Sequence, residues 1–270
     1  MPSEKSRLKG LTTMVAARKI LTYAPSAIIL VVFFFFWEAS VAAFSIPSFL
    51  IPAPSSIFAE LLGSKVNWME HILFTTYETL AGFALAAVIG ISTGYIIVHF
   101  RTISNIIYPY ILAAQIVPKV AVAPLFFIWF GFGETPKILL SFLIAYFPIV
   151  IDTVVGLRAA DPDLLDYMKL IDAKPHQVFF HVKWPNALPH IFGSFKVAMT
   201  LAIIGAVIGE FVGAQKGLGY MIVLAQQHFT TSIIFASLLL LVVLGTLLYL
   251  AIELAEFLIT PWYRKMKRIS

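Results

Sequence analysis

Residues Arg158 to Pro189 read RAADPDLLDYMKLIDAKPHQVFFHVKWPNALP, a polar stretch set between two long apolar runs. Asp161-Pro162-Asp163 opens a helix: Asp161 supplies a cap, Pro162 suits the first helical position, and Asp163 complements the positive end of the dipole. Leu164, Leu165, Met168 and Ile171 follow at helical spacing and form one apolar face. Asp172-Ala173-Lys174-Pro175 breaks that pattern. A second helix starts at Pro175, carries Val178, Phe179 and Val182 on one face, and ends at Trp184-Pro185. The hairpin has more apolar surface than its length can bury alone. Two readings follow: a surface hairpin packed on its own helix ends, or a knob shaped for a groove on a partner.

The flanks place this hairpin at a membrane. Of the 270 residues, 60% are hydrophobic and 12% charged, with a mean hydropathy of +0.92. Soluble domains carry roughly 25% charged residues, so the chain reads as an all-α integral membrane protein. Six spans are expected, near residues 21–44, 75–98, 105–130, 138–157, 187–212 and 232–259, with the hairpin between the fourth and fifth. Each is close to the roughly 20 residues that cross the hydrocarbon core. Pro118 and Pro124 interrupt the third, which is either one broken helix or two short ones.

Charge supports the layout. Fourteen of the nineteen Lys and Arg residues fall on one side if both termini are cytoplasmic: five near the N-terminus, Arg101, four in residues 158–186 (Arg158, Lys169, Lys174, Lys183) and four after residue 263. Lys65, Lys137 and Lys216 fall outside, and Lys119 and Lys196 lie within spans. This topological bias accounts for the net charge of +5 without nucleic acid as a partner. The basic N-terminus (residues 1–20, cytoplasmic in this layout) precedes a long apolar run without a small-residue cleavage site, and is read as leading into an uncleaved first span. The absence of cysteine removes disulfides, thiolate nucleophiles and Cys-based metal sites. The longest outer loop, residues 45–74, has a short helix expected at residues 57–62.

The hairpin resembles the cytoplasmic loop of ABC importer permeases, whose pattern is Glu-Ala-Ala, three residues, Gly, nine residues, Ile, one residue, Leu-Pro. Asp166, Tyr167 and Met168 stand at the Glu-Ala-Ala places, Asp172 at the Gly, Val182 at the Ile, and Trp184-Pro185 at the Leu-Pro. The spacing fits throughout; only the proline is identical. Further likenesses are PLFFIWFGFGETPKILL from Pro124, GEFVGAQKGLGYMI from Gly209, the closing Thr260-Pro261-Trp262, Trp37-Glu38, and Pro52-Ala53-Pro54-Ser55. Their order resembles the nitrate/sulfonate/taurine branch of these permeases, over residues 30–262.

That resemblance implies a single permease domain over residues 1–270 in a bacterial inner membrane. It would work with a second copy of itself, two ATP-binding cassette subunits and an extracytoplasmic substrate-binding protein. Asp166, Tyr167, Met168, Asp172, Ala173, Val182, Trp184 and Pro185 would dock the ATPase. The substrate would be a small anion of the nitrate, sulfonate or taurine kind, or a vitamin or heterocycle precursor. The chain has no GxxxxGK[ST] loop, so no cofactor is expected on it; ATP and magnesium would belong to the partner subunit.

Ionisable residues inside spans are candidates for the solute pathway because burying them in lipid is costly. They are Glu38, Glu78, Lys119, Asp152, Lys196, Glu210 and Glu253, each with helix packing or interfacial pairing as its rival role. Glu210 leads, in the small-residue run GAVIGEFVGA before the glycine-rich loop 213–219, which is read as a turn or gate. Lys119, Gln115 and Trp129 follow. A stand-alone secondary transporter or channel, using the acids as relays, is the alternative class, although no inverted halves are visible. A membrane-embedded enzyme finds little support: there is no HExxH, and His176 and His181, five apart, make weak metal spacing.

Overall fold

The computed structural model describes residue 25, residues 28–63 and residues 66–263, and every regular element among them is helical. Two compact units emerge: Met1–Lys65 with Phe229–Ala236, and Val66–His228 with Ser237–Ser270.

The first unit contains α1 (Ile28–Ala43) and α2 (Pro54–Gly63). The beginning of the expected first span, like both basic termini, lies outside the described residues. Glu38 on α1 reaches the start of α2, accepting from the Ser55 amide at 3.0 Å and the Ser55 hydroxyl at 2.7 Å. An acid of α1, a helix shorter among the described residues than a full span, thus satisfies the free amide end of a ten-residue helix, where the dipole favours negative charge.

In the second unit, α3 (Trp68–His99), α6 (Thr135–Arg158) and a continuous helix from Pro175 to Gly213 are each long and apolar enough to cross a membrane, as is α11 (Thr231–Ile259), whose first residues, through Ala236, belong to the first unit. α4 (Arg101–Ala114) and α5 (Lys119–Phe130) meet at 98° and form the fifth candidate span, broken or re-entrant. Pro118 explains the break: it is the N-cap of α5, extended with ψ of 97°, and a proline disfavours the helical region for the residue before it. The third segment is therefore two short helices.

The hairpin follows α6 as α7 (Pro162–Leu170) and α8 (Pro175–Val178). The Asp161 side chain accepts from the Asp163 amide at 2.9 Å, the cap read from the sequence. Asp172 takes φ of +50° at the turn, a conformation that Asp adopts more readily than most residues. One expectation fails here. The second helix does not end at Trp184-Pro185; it passes through a π turn (Phe179–Lys183) into α9 (Trp184–Gly213). The wider register of the π turn accommodates Pro185 at the start of α9 without ending the helix. After α9 come α10 (Leu218–Gln227) and α11.

The core is the bundle of α3, α6 and α9. Its crossing point is Ser141, fully buried, whose hydroxyl donates to the Ala202 carbonyl at 2.9 Å. Gly82 of α3 and Gly205 of α9 both face it. A Cβ on Gly205 would lie 2.6 Å from the Ser141 Cα, and one on Gly82 would run into the Ser141 side chain. Without a hydrophobic drive between helices in lipid, such small residues permit the backbone approach that holds a bundle together.

Candidate functional site

The hairpin presents an unburied apolar face. Leu164, Tyr167, Leu170 and Ile171 are exposed, Leu170 at 84%. Asp166 is exposed too and pairs with Lys169 at 2.8 Å. Of the other residues assigned to docking, Met168 and Ala173 are half-buried, Asp172 is exposed, and Val182 is buried. Trp184 packs on Phe179, ring centroids 5.9 Å apart, beside the cluster of Leu157, Ala187 and Ile191. The set therefore divides by geometry. Residues 164–172 offer surface, whereas Val182, Trp184 and Pro185 root the hairpin on α6 and α9.

The break between α4 and α5 opens a cavity of about 540 Å³. Gln115 and Lys119 line it with Asp152, Phe147, Leu201 and Ile204. The Lys119 ammonium donates to the Gln115 carbonyl at 2.5 Å and sits 4.9 Å from the Phe147 ring centroid. This is a cation, a carboxylate and an amide within apolar walls, the pattern of a small-molecule site. Trp129 is not among the lining residues and is 63% exposed.

Glu210 lies elsewhere, buried at 1% exposure. Its carboxylate accepts from the Thr75 hydroxyl at 2.6 Å and the Gly219 amide at 2.5 Å. The Leu218 amide donates to the Thr75 oxygen at 2.9 Å, and the Gly217 amide to Nδ1 of His71 at 3.1 Å. Lys216 pairs with Glu70 at 2.6 Å. Successive residues 216–219 are thus fastened to α3 and α9, and the N-terminal amides of α10 find their acceptors on other helices. Gly217 has φ of +116°, and a side chain there would collide with the Glu210 carboxylate. Next to this cap lies a buried ion pair, Lys137 with Glu78.

The intramembrane acids are therefore largely committed to protein partners: Glu38 to Ser55, Glu78 to Lys137, Glu210 to α10. Lys196 pairs with Glu256 at 2.5 Å. Sequence reasoning named Glu210 but missed Thr75 and His71, which lie one turn apart on α3 and carry no motif. It noted Asp152 without joining it to Lys119; only the bend at Pro118 brings the two to one cavity. No group of three or more His, Cys, Asp or Glu residues suited to a metal occurs among the described residues.

Residues 86–265 match the family model for the binding-protein-dependent transport system inner membrane component. The chain belongs to this family. The permease is 37% identical to the riboflavin transport system permease protein RibX of Chloroflexus aurantiacus, over 84% of its own length and 85% of that protein. It is 33% identical to the putative aliphatic sulfonates transport permease protein SsuC of Bacillus subtilis, over 79% and 78%. It is 30% identical to the formylaminopyrimidine transport permease protein ThiX of Halalkalibacterium halodurans, over 85% and 92%. In fold it is similar to a chain of the MetNI methionine ABC transporter in an inward-facing form, with a TM-score of 0.59 and 20% identity over 70% of the permease and 94% of that chain. The molecule is a multi-pass membrane protein and the permease subunit of an ABC importer for a small solute.

Proposed function

We propose that the permease works as a pair of copies with two ATP-hydrolysing subunits and an extracytoplasmic binding protein, with both termini and the hairpin on the cytoplasmic side. The observation that carries this reading is the exposed apolar face of Leu164, Tyr167, Leu170 and Ile171, on the element that resembles the motor-docking loop. ATP-driven closure of the motors would carry α7 and α8 with it. The permease responds only through contacts that differ between its two states. ATP hydrolysis itself belongs to the partner. A detergent pull-down of the tagged permease from its host should recover an ATPase in stoichiometric amount. Recovery of the permease alone would overturn the reading.

The cavity at the α4–α5 break is the proposed solute station. Lys119 and Asp152 balance each other in charge, and Phe147 adds a flat apolar wall. This favours a polar heterocycle of the vitamin or precursor class over a bare anion, in line with the relatives named for riboflavin and formylaminopyrimidine. Gln115 supplies hydrogen bonds, Trp129 has no direct part, and Glu210 shapes the external loop rather than touching solute. Lys119→Ala should lower uptake of the binding protein's ligand into proteoliposomes at least about tenfold, the loss of roughly one charge-assisted hydrogen bond, with ATPase co-purification unchanged. Wild-type uptake would remove Lys119 from the pathway.

A further inference from the structure

A second cavity, a groove of about 1140 Å³, lies between the C-terminal part of α3 and the second half of the hairpin. Along α3 it runs from Ile91 to His99, the last residue of that span, about 12 Å at 1.5 Å per residue. It therefore covers the last two turns of α3, from the apolar residue Ile91 to the terminal His99. Its walls include Tyr95, Phe179 and Trp184, aromatic residues of the kind that settle at headgroup level. Phe179 and Lys183 bound the π turn, a local widening often found at functional sites. Its ionisable lining groups are Lys183, His99, His176 and Tyr95, and no carboxylate is among them.

We propose that this groove holds one anionic phospholipid, with acyl chain along Ile91 to Tyr95 and phosphate beside Lys183, His99 and His176. The lining decides between occupants. It is apolar at the Ile91 end and basic, without a carboxylate, at the Lys183 end, which matches the acyl chain and the phosphate of a lipid in one groove. Because His176 and Lys183 belong to the hairpin, the bound lipid touches the element that moves. The inference rests on the membrane position of the permease and not on motor docking.

The test is native mass spectrometry of the complete transporter, and of the permease alone, after incubation with equal amounts of phosphatidylglycerol and phosphatidylcholine. The permease should retain phosphatidylglycerol about fivefold over phosphatidylcholine, the weight of one charge near a membrane surface. Lys183→Gln should bring the two to parity. Lys169→Gln, already neutralised by Asp166, should leave the preference intact and report that the hairpin still folds. Equal retention by the wild type, or an unchanged preference in Lys183→Gln, overturns the proposal. So does efficient cross-linking of a His176→Cys variant to an ATPase subunit, a clean experiment in a chain with no other cysteine. Failure to recover an ATPase would count against motor docking and leave the lipid result on the permease alone standing.

Discussion

Leu170→Asp should strip the ATPase from the permease while leaving the permease folded. Leu170 is 84% exposed at the end of α7, in contact range of water but not of the core. A charge placed at the centre of an apolar interface removes a contact worth about 2–4 kcal/mol, which is roughly 30- to 1000-fold in association. The thermal unfolding midpoint in detergent should stay within about a degree, because exposed substitutions change stability by under ~0.5 kcal/mol. Trp184→Asp is the instructive contrast. It also disrupts the packing of Phe179, Leu157 and Ala187, so lost docking would come with lost stability. Undiminished ATPase co-purification with Leu170→Asp would remove α7 from the interface.

The second large effect concerns the ion pair in the core. Glu78 is fully buried and Lys137 is 5% exposed, so Glu78→Ala would leave an ammonium group sealed in the bundle. Removing one partner of a buried pair costs about 3–5 kcal/mol, on the order of 10 °C in melting temperature for a chain of this size. The double variant Glu78→Gln with Lys137→Met should recover most of the loss, because no bare charge remains. Two single variants that melt with the wild type would show that water reaches the pair.

Much of this fold is legible from residue order alone, for a physical reason. Apolar runs of span length, a strong bias of Lys and Arg, and a capped polar hairpin are local or additive signals, and they located α3, α6, α9 and α11 to within a few residues at most ends. The cap at Asp161 and the break at Pro118 are equally local. What escaped is what depends on meeting across space. Glu210 looks like a pathway acid until α3 brings Thr75 and His71 beneath the α10 amides. Asp152 and Lys119 are 33 positions apart and share a cavity only because α4 and α5 turn by 98°. Pro185 misled for the opposite reason: a proline is a reliable stop only in ordinary helical register, and the π turn before it changes the register.

That π turn has a mechanical corollary. Because it joins α8 to α9 without a break, Pro175–Gly213 is one rod of 39 residues, about 58 Å long at 1.5 Å per residue. One end carries the hairpin residues Pro175 and His176; the other carries Glu210 and the fastened loop before α10. A rigid beam pivoting between its ends moves them in opposite directions. Tilting by about 10° displaces the hairpin end, about 45 Å from Gly205, by about 8 Å and the far end, about 12 Å from it, by about 2 Å. With Ser141 and Gly205 meeting nearer the α10 end as the fulcrum, a push at the hairpin and the release of the α10 strap become the long and short strokes of a single lever.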